Sequence, residues 1–129
     1  MPARPTPRAT GDESPGPDTL TRSAMRPDGT LVLHLNGEYD VDTVVPLREA
    51  LNRANADRVP HTVLDVSGVT FADSTLLNLF IQAHHRLARL VFAGPVPPQL
   101  QRLFDLTGVA EIFTFAPDVT AACADTSPA

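Results

Sequence analysis

The chain has 129 residues, 43% of them hydrophobic, a single Cys, no Trp and a formal net charge of −5. That length fits one compact domain with tails, and the lone Cys123 excludes an intrachain disulfide or a cysteine-based metal site. All 10 cations are Arg, and the net negative charge offers no basic stripe for a nucleic-acid backbone.

Residues 1–18 carry Pro2, Pro5, Pro7, Pro15 and Pro17 with almost nothing apolar. Such a segment cannot offset the entropy of ordering, so a disordered tail is expected there. It lacks the apolar stretch of a secretory signal. No run approaches the roughly 20 apolar residues that span a bilayer. A soluble, cytoplasmic protein with no membrane partner is expected. The domain itself is expected over 19–124, with a loose end at 125–129.

Within the domain, residues 20–26 read as an edge strand and Pro27-Asp28-Gly29-Thr30 as a turn. Residues 31–35 form the second strand of a hairpin, and Asn36 to Asp40 a loop. A helix is predicted over 43–56, where Val44, Leu47, Leu51 and Ala54 recur at helical spacing and Pro46 falls in the first turn. The apolar run 63–66 suits a central strand covered on both faces. A small loop then leads to a second helix over 76–85. Leu90-Val91-Phe92-Ala93 is another buried strand. Residues 98–106 form a third helix, with Pro98 in its first turn and Gly108 as its stop. Residues 111–115 read as the last strand, and Asp118 caps a short helix ending near Cys123. The order β-β-α-β-α-β-α-β-α predicts an α/β fold. It has a mostly parallel four- to five-stranded sheet, an N-terminal β-hairpin edge, about four helices and right-handed crossovers.

The most informative stretch is Asp73-Ser74-Thr75, an acid and two hydroxyls directly before an apolar helical pattern. Free backbone N–H groups and the positive end of the helix dipole meet there, and such a spot can hold a phosphate. If Ser74 is the N-cap, its oxygen turns to the backbone and the Thr75 hydroxyl points outward. If Thr75 is the cap, the roles reverse. The plain alternative is an ordinary helix start. Leu76, Leu77, Leu79, Phe80 and Ile81 are apolar almost all round, so Leu76 or Leu77 is expected near the surface as a patch for a protein partner. Asp40 and Asp42 suit a turn and cap. His34 is read as a satisfied structural residue, His84-His85 as a polar helix end and Cys123 as a small apolar filler. No phosphate loop, nucleophile elbow or metal-spaced cluster is present. The sequence therefore points away from an enzyme, with no cofactor and no metal.

Four segments in order resemble the sulfate-transporter and anti-sigma-factor-antagonist (STAS) family, specifically its single-domain bacterial members. They are Gly37-Glu38-Tyr39-Asp40, Leu64-Asp65-Val66-Ser67-Gly68-Val69, Asp73-Ser74-Thr75, and Leu106-Thr107-Gly108-Val109 followed by Ile112-Phe113. The resemblance implies a STAS-like fold and partner switching. An unmodified antagonist binds an anti-sigma serine/threonine kinase of histidine-kinase-like ATPase fold and frees a sigma factor. The kinase phosphorylates the second hydroxyl of the signature, which ends binding, and a phosphatase restores it. That hydroxyl maps onto Thr75, with Ser74 as second choice. The partner surface is then expected over Asp40, Ser67, Gly68, Asp73, Ser74, Thr75, Leu76 and Leu77. Leu76 stands where the family has Gly. That departure favours the alternative of a non-phosphorylated STAS scaffold or a small-ligand-sensing module.

Overall fold

A computed structural model describes residues 20–124. The tails expected at 1–18 and 125–129 lie outside the described residues. Strand β1 (Leu20–Met25) pairs antiparallel with β2 (Thr30–Tyr39). The turn between them is held by Gly29 N–H donating to Arg26 O at 3.0 Å and Thr30 N–H donating to Asp28 Oδ1 at 2.9 Å. Helix α1 (Val45–Ala56) leads to β3 (His61–Ala72), then α2 (Ser74–Arg86), β4 (Leu90–Ala93) and α3 (Pro98–Thr107). A 3-10 turn (Val109–Glu111), β5 (Phe115–Ala116) and α4 (Val119–Ala124) complete the chain. The sheet order is β1-β2-β3-β4-β5, with β2 to β5 parallel. This is the expected α/β fold with a five-stranded mixed sheet.

Alternation along the strands divides the sheet into two faces. Leu33, Leu35, Leu64, Val66 and Phe92 join the main core with the buried residues of α1, α2 and α3. Val32, Val63, Val91 and Ala93 face the other way, where Ala122 and Cys123 of α4 cover them. Cys123 thus fills apolar space. Phe80, Phe92, Phe104, Phe113 and Phe115 form a connected set of rings, with Phe80 and Phe92 edge-on at 4.9 Å. The sixth phenylalanine, Phe71, is 43% exposed.

Several boundaries differ from expectation. The segment read as a loop after residue 66 is strand: β3 has 12 residues against 10 in β2. The two extra residues are bulges on β3, since His34 and Asn36 pair with Asp65 and Gly68, and Gly37 and Glu38 pair with Val69 and Phe71. Asn36 to Tyr39 likewise lie in β2 rather than in a loop. The strand expected over 111–115 is mostly helical turn. Ile112 N–H and Phe113 N–H both donate to Val109 O, at 3.0 and 3.3 Å, and only Phe115 of that segment reaches β5. Local bonding of this kind removes donors that a strand ladder would need. Helix α1 begins at Val45, two residues later than expected, because Thr43 is engaged in the preceding turn.

Candidate functional site

Tyr39 and Ala72 end β2 and β3 side by side. The residue after each, Asp40 and Asp73, therefore leaves the sheet at the same edge. Tyr39 anchors that edge from below. Its fully buried ring ends in a hydroxyl that meets Thr21 Oγ1 at 3.0 Å and accepts from Asn36 N–H at 3.2 Å. Burial raises its ionisation above the ordinary phenol value, and the two hydrogen bonds only partly offset this.

Asp40 organises the turn into α1. Its Oδ1 accepts from Asp42 N–H at 2.9 Å and Thr43 N–H at 3.0 Å. These bonds, that from Thr43 first, hold its carboxyl below the usual range. The Thr43 hydroxyl accepts from Asp40 N–H at 2.9 Å and lies 2.9 Å from Glu38 O. Asp40 is thus the turn residue its type suggests.

Asp73 is the N-cap of α2. It is extended, and its Oδ1 accepts from Thr75 N–H at 2.8 Å. This corrects the expectation that Ser74 or Thr75 caps the helix. Aspartate caps as well as serine. Capping from position 73 puts both hydroxyls inside the first turn and releases both from capping. Ser74 is exposed and Thr75 is partly exposed.

Leu76 and Leu77 are the second correction. Both are buried, at 0% and 5% exposure, so neither forms a surface patch. Leu79, Phe80, Ala83, Leu76 and Leu77 span an arc of about 160° at 100° per residue. That arc can be buried because α2 packs on both β3 and α1. The exposed apolar residues flanking Asp40 and Asp73 are instead Phe71 and Val41, the latter 65% exposed.

Ser67 and Gly68 stand apart from this edge. At roughly 3.3 Å per residue they lie about 15 Å back along β3. The Ser67 hydroxyl donates to Asp65 Oδ1 at 2.7 Å, and His34 Nδ1 lies 2.8 Å from Asp65 Oδ2. His34 is therefore satisfied, as its strand position suggests. Gly68 lies opposite Asn36. A Cβ there would meet the Asn36 side chain and come within 2.7 Å of Leu35 O, so the glycine serves close strand approach.

The structure thus gathers Asp40, Asp73, Ser74 and Thr75 at one edge, with Leu76 and Leu77 behind them in the core. Sequence reasoning does not reach Thr43 or Gln99. Gln99 clamps the backbone of Ala72 from α3, 27 residues away, and no local pattern signals a contact of that span. Phe71 does carry a signal in the sequence, being an apolar residue one position out of step with the buried Ala72. Among the described residues no three His, Cys, Asp or Glu side chains converge as a metal site, and no helix is long and apolar enough to cross a membrane.

Comparison with known proteins bears on the family and the fold. The chain is 31% identical over 80 residues to the anti-sigma-F factor antagonist RsfB of Mycobacterium tuberculosis, which covers 62% of this chain and 66% of that protein. It thus spans just under two thirds of that relative's length. It is 30% identical over 81 residues to the anti-sigma-B factor antagonist of Staphylococcus aureus, covering 60% of this chain and 75% of that one. The crystal structure of an anti-sigma factor antagonist from Mycobacterium paratuberculosis superposes with a TM-score of 0.76 at 26% identity, over 84% of this chain and 93% of that one. Residues 23–114 match the family model described as Mlab, STAS domain, and with this match and the shared fold the chain belongs to the STAS-domain family.

Proposed function

We propose that this chain is an anti-sigma factor antagonist. It binds an anti-sigma serine/threonine kinase in the cytoplasm, releases a sigma factor, and is switched off by phosphorylation at Thr75. The names of the relatives support the coarse reading. The observation that carries the finer one is the division of labour at α2. Asp73 does the capping, which leaves the exposed Ser74 and part-exposed Thr75 outside the cap at the edge where β2 and β3 end.

A phosphate at Thr75 carries about −1.5 to −2 charge near neutral pH. The helix dipole favours it by about 0.3–1 kcal/mol at an exposed end, and the Asp73 carboxylate opposes it. The two nearly cancel, so the free domain keeps its fold. In a docked complex an unpaired charge costs several kcal/mol, so the switch acts on binding. Leu76 presents no obstacle to a kinase, because its side chain is fully buried.

Incubation with the cognate kinase and ATP is expected to add one phosphate at Thr75. Thr75→Ala should abolish the transfer and Ser74→Ala should leave most of it. Thr75→Asp should weaken capture of the kinase at least ~10-fold, a change of about 1.4 kcal/mol. A Thr75→Asp chain that captures its partner as wild type does, with no transfer by that partner, would instead support a non-phosphorylated STAS scaffold.

A further inference from the structure

Strand β3 outruns its neighbour on the β4 side. The β3–β4 register ends where Asp65 meets Ala93, yet β3 continues to Ala72. Along that extension β2 still lies on one side, with Tyr39 opposite Ala72. On the other side the neighbouring strand has stopped. Ala72 is 1% exposed, and a buried peptide edge left bare is costly.

The side chain of Gln99, in the first turn of α3, occupies that place. Its Oε1 accepts from Ala72 N–H at 2.9 Å, and its Nε2 donates to Ala72 O at 2.8 Å. A primary amide carries a donor and an acceptor side by side, so it substitutes for one residue of a missing strand. The consequence reaches the next residue. Ala72 C=O and Asp73 N belong to one planar peptide unit. A bond that fixes the carbonyl therefore fixes the plane from which Asp73 leaves the sheet. Asp73 must hold its extended conformation for its carboxylate to reach Thr75 N–H.

We infer that Gln99 is the positioning residue of the Asp73–Thr75 site. It orients the last peptide of β3 so that Asp73 caps α2 and the Ser74 and Thr75 hydroxyls stay free of the cap. It also ties α3 to the site, so that displacement of α3 is felt at the acceptor. The geometric part stands on these bonds alone. The consequence for phosphoryl acceptance rests on the proposed function.

Gln99→Glu separates positioning from simple support. A protonated carboxyl keeps both functions of the amide, since its O–H donates to Ala72 O and its C=O accepts from Ala72 N–H. An ionised carboxylate has no donor, and the clamp opens. In the full chain, backbone amide resonances followed from pH 4 to 8 should show Ala72 and Thr75 moving together with this new titration. Wild type followed over the same range supplies the baseline. At pH 7, transfer of phosphate to Gln99→Glu should fall ~10-fold in kcat with little change in KM, the pattern of a misplaced acceptor. Gln99→Ala should lose the same activity at every pH, and it serves if the charged variant fails to fold. The inference is overturned if Ala72 follows the titration while Thr75 does not, or if both variants accept phosphate at the wild-type rate. If wild type takes no phosphate at Thr75, the proposed function fails, and the Thr75 resonance alone still decides the role of Gln99.

Discussion

At the scale of single residues, Asp65 is held between opposing influences. Partial burial is the largest and pushes its carboxyl up, but the Ser67 hydroxyl, His34 and the Ser67 N–H together outweigh it and keep the group below its ordinary 3.8. An acid depressed in the folded chain stabilises that chain wherever the unfolded form is also ionised. The contribution is complete above 3.8 and is lost as the pH falls through the lower folded value. Asp65→Asn conserves volume and removes the charge. It should be less stable than wild type by about 1 kcal/mol at pH 7, with the gap closing as the pH falls below 3.8. Urea midpoints measured across that range check the sign. A gap that stays flat with pH would mean that the ionised form contributes nothing.

At the scale of elements, two glycines act for different reasons. Gly108 ends α3 with φ at 77°, and a Cβ added there would have no neighbour within 4 Å. Gly108→Ala therefore meets only left-handed strain, about 1–2 kcal/mol. Gly68→Ala has ordinary backbone freedom but would press a methyl onto Leu35 O and the Asn36 side chain, with a loss of about 1–3 kcal/mol. Asn36→Ala should recover part of the second loss and none of the first, as denaturant midpoints of the double variants would report. The same geometry explains what is legible in the chain beforehand. Helices α1 and α3 and strand β4 follow from regular apolar spacing, Pro46, Pro98 and Gly108. The second half of β3 does not, because each bulge resets the alternation on which strand reading depends. Ser67-Gly68 and Thr70 therefore look like loop residues. The capping role is ambiguous in sequence because Asp73, Ser74 and Thr75 are all good caps. Only the extended backbone at Asp73 decides among them.

At the scale of the whole molecule, the chain distributes its few rings unevenly. Phe80 of α2, Phe104 of α3, Phe92, Phe113 and Phe115 are in ring contact, with Phe104 fully buried and Phe115 38% exposed at the margin. Phe71 stands outside that set, 43% exposed, two residues before the cap of α2. Its burial in the isolated domain is too incomplete for it to be a principal support of the fold. A large apolar side chain at a rim can yield its full transfer energy only when another surface covers it. The two kinds of phenylalanine should therefore respond oppositely to truncation. Phe104→Ala should cost about 3–5 kcal/mol of stability. Phe71→Ala should cost less than about 1 kcal/mol by the same denaturation assay, yet weaken capture of the proposed kinase at least ~10-fold. Val41→Ser should add to the binding loss with stability unchanged. Were Phe71→Ala to unfold the domain as readily as Phe104→Ala while binding persisted in the folded fraction, Phe71 would belong to the core, and the docking surface would have to lie away from the edge that carries Asp40 and Asp73.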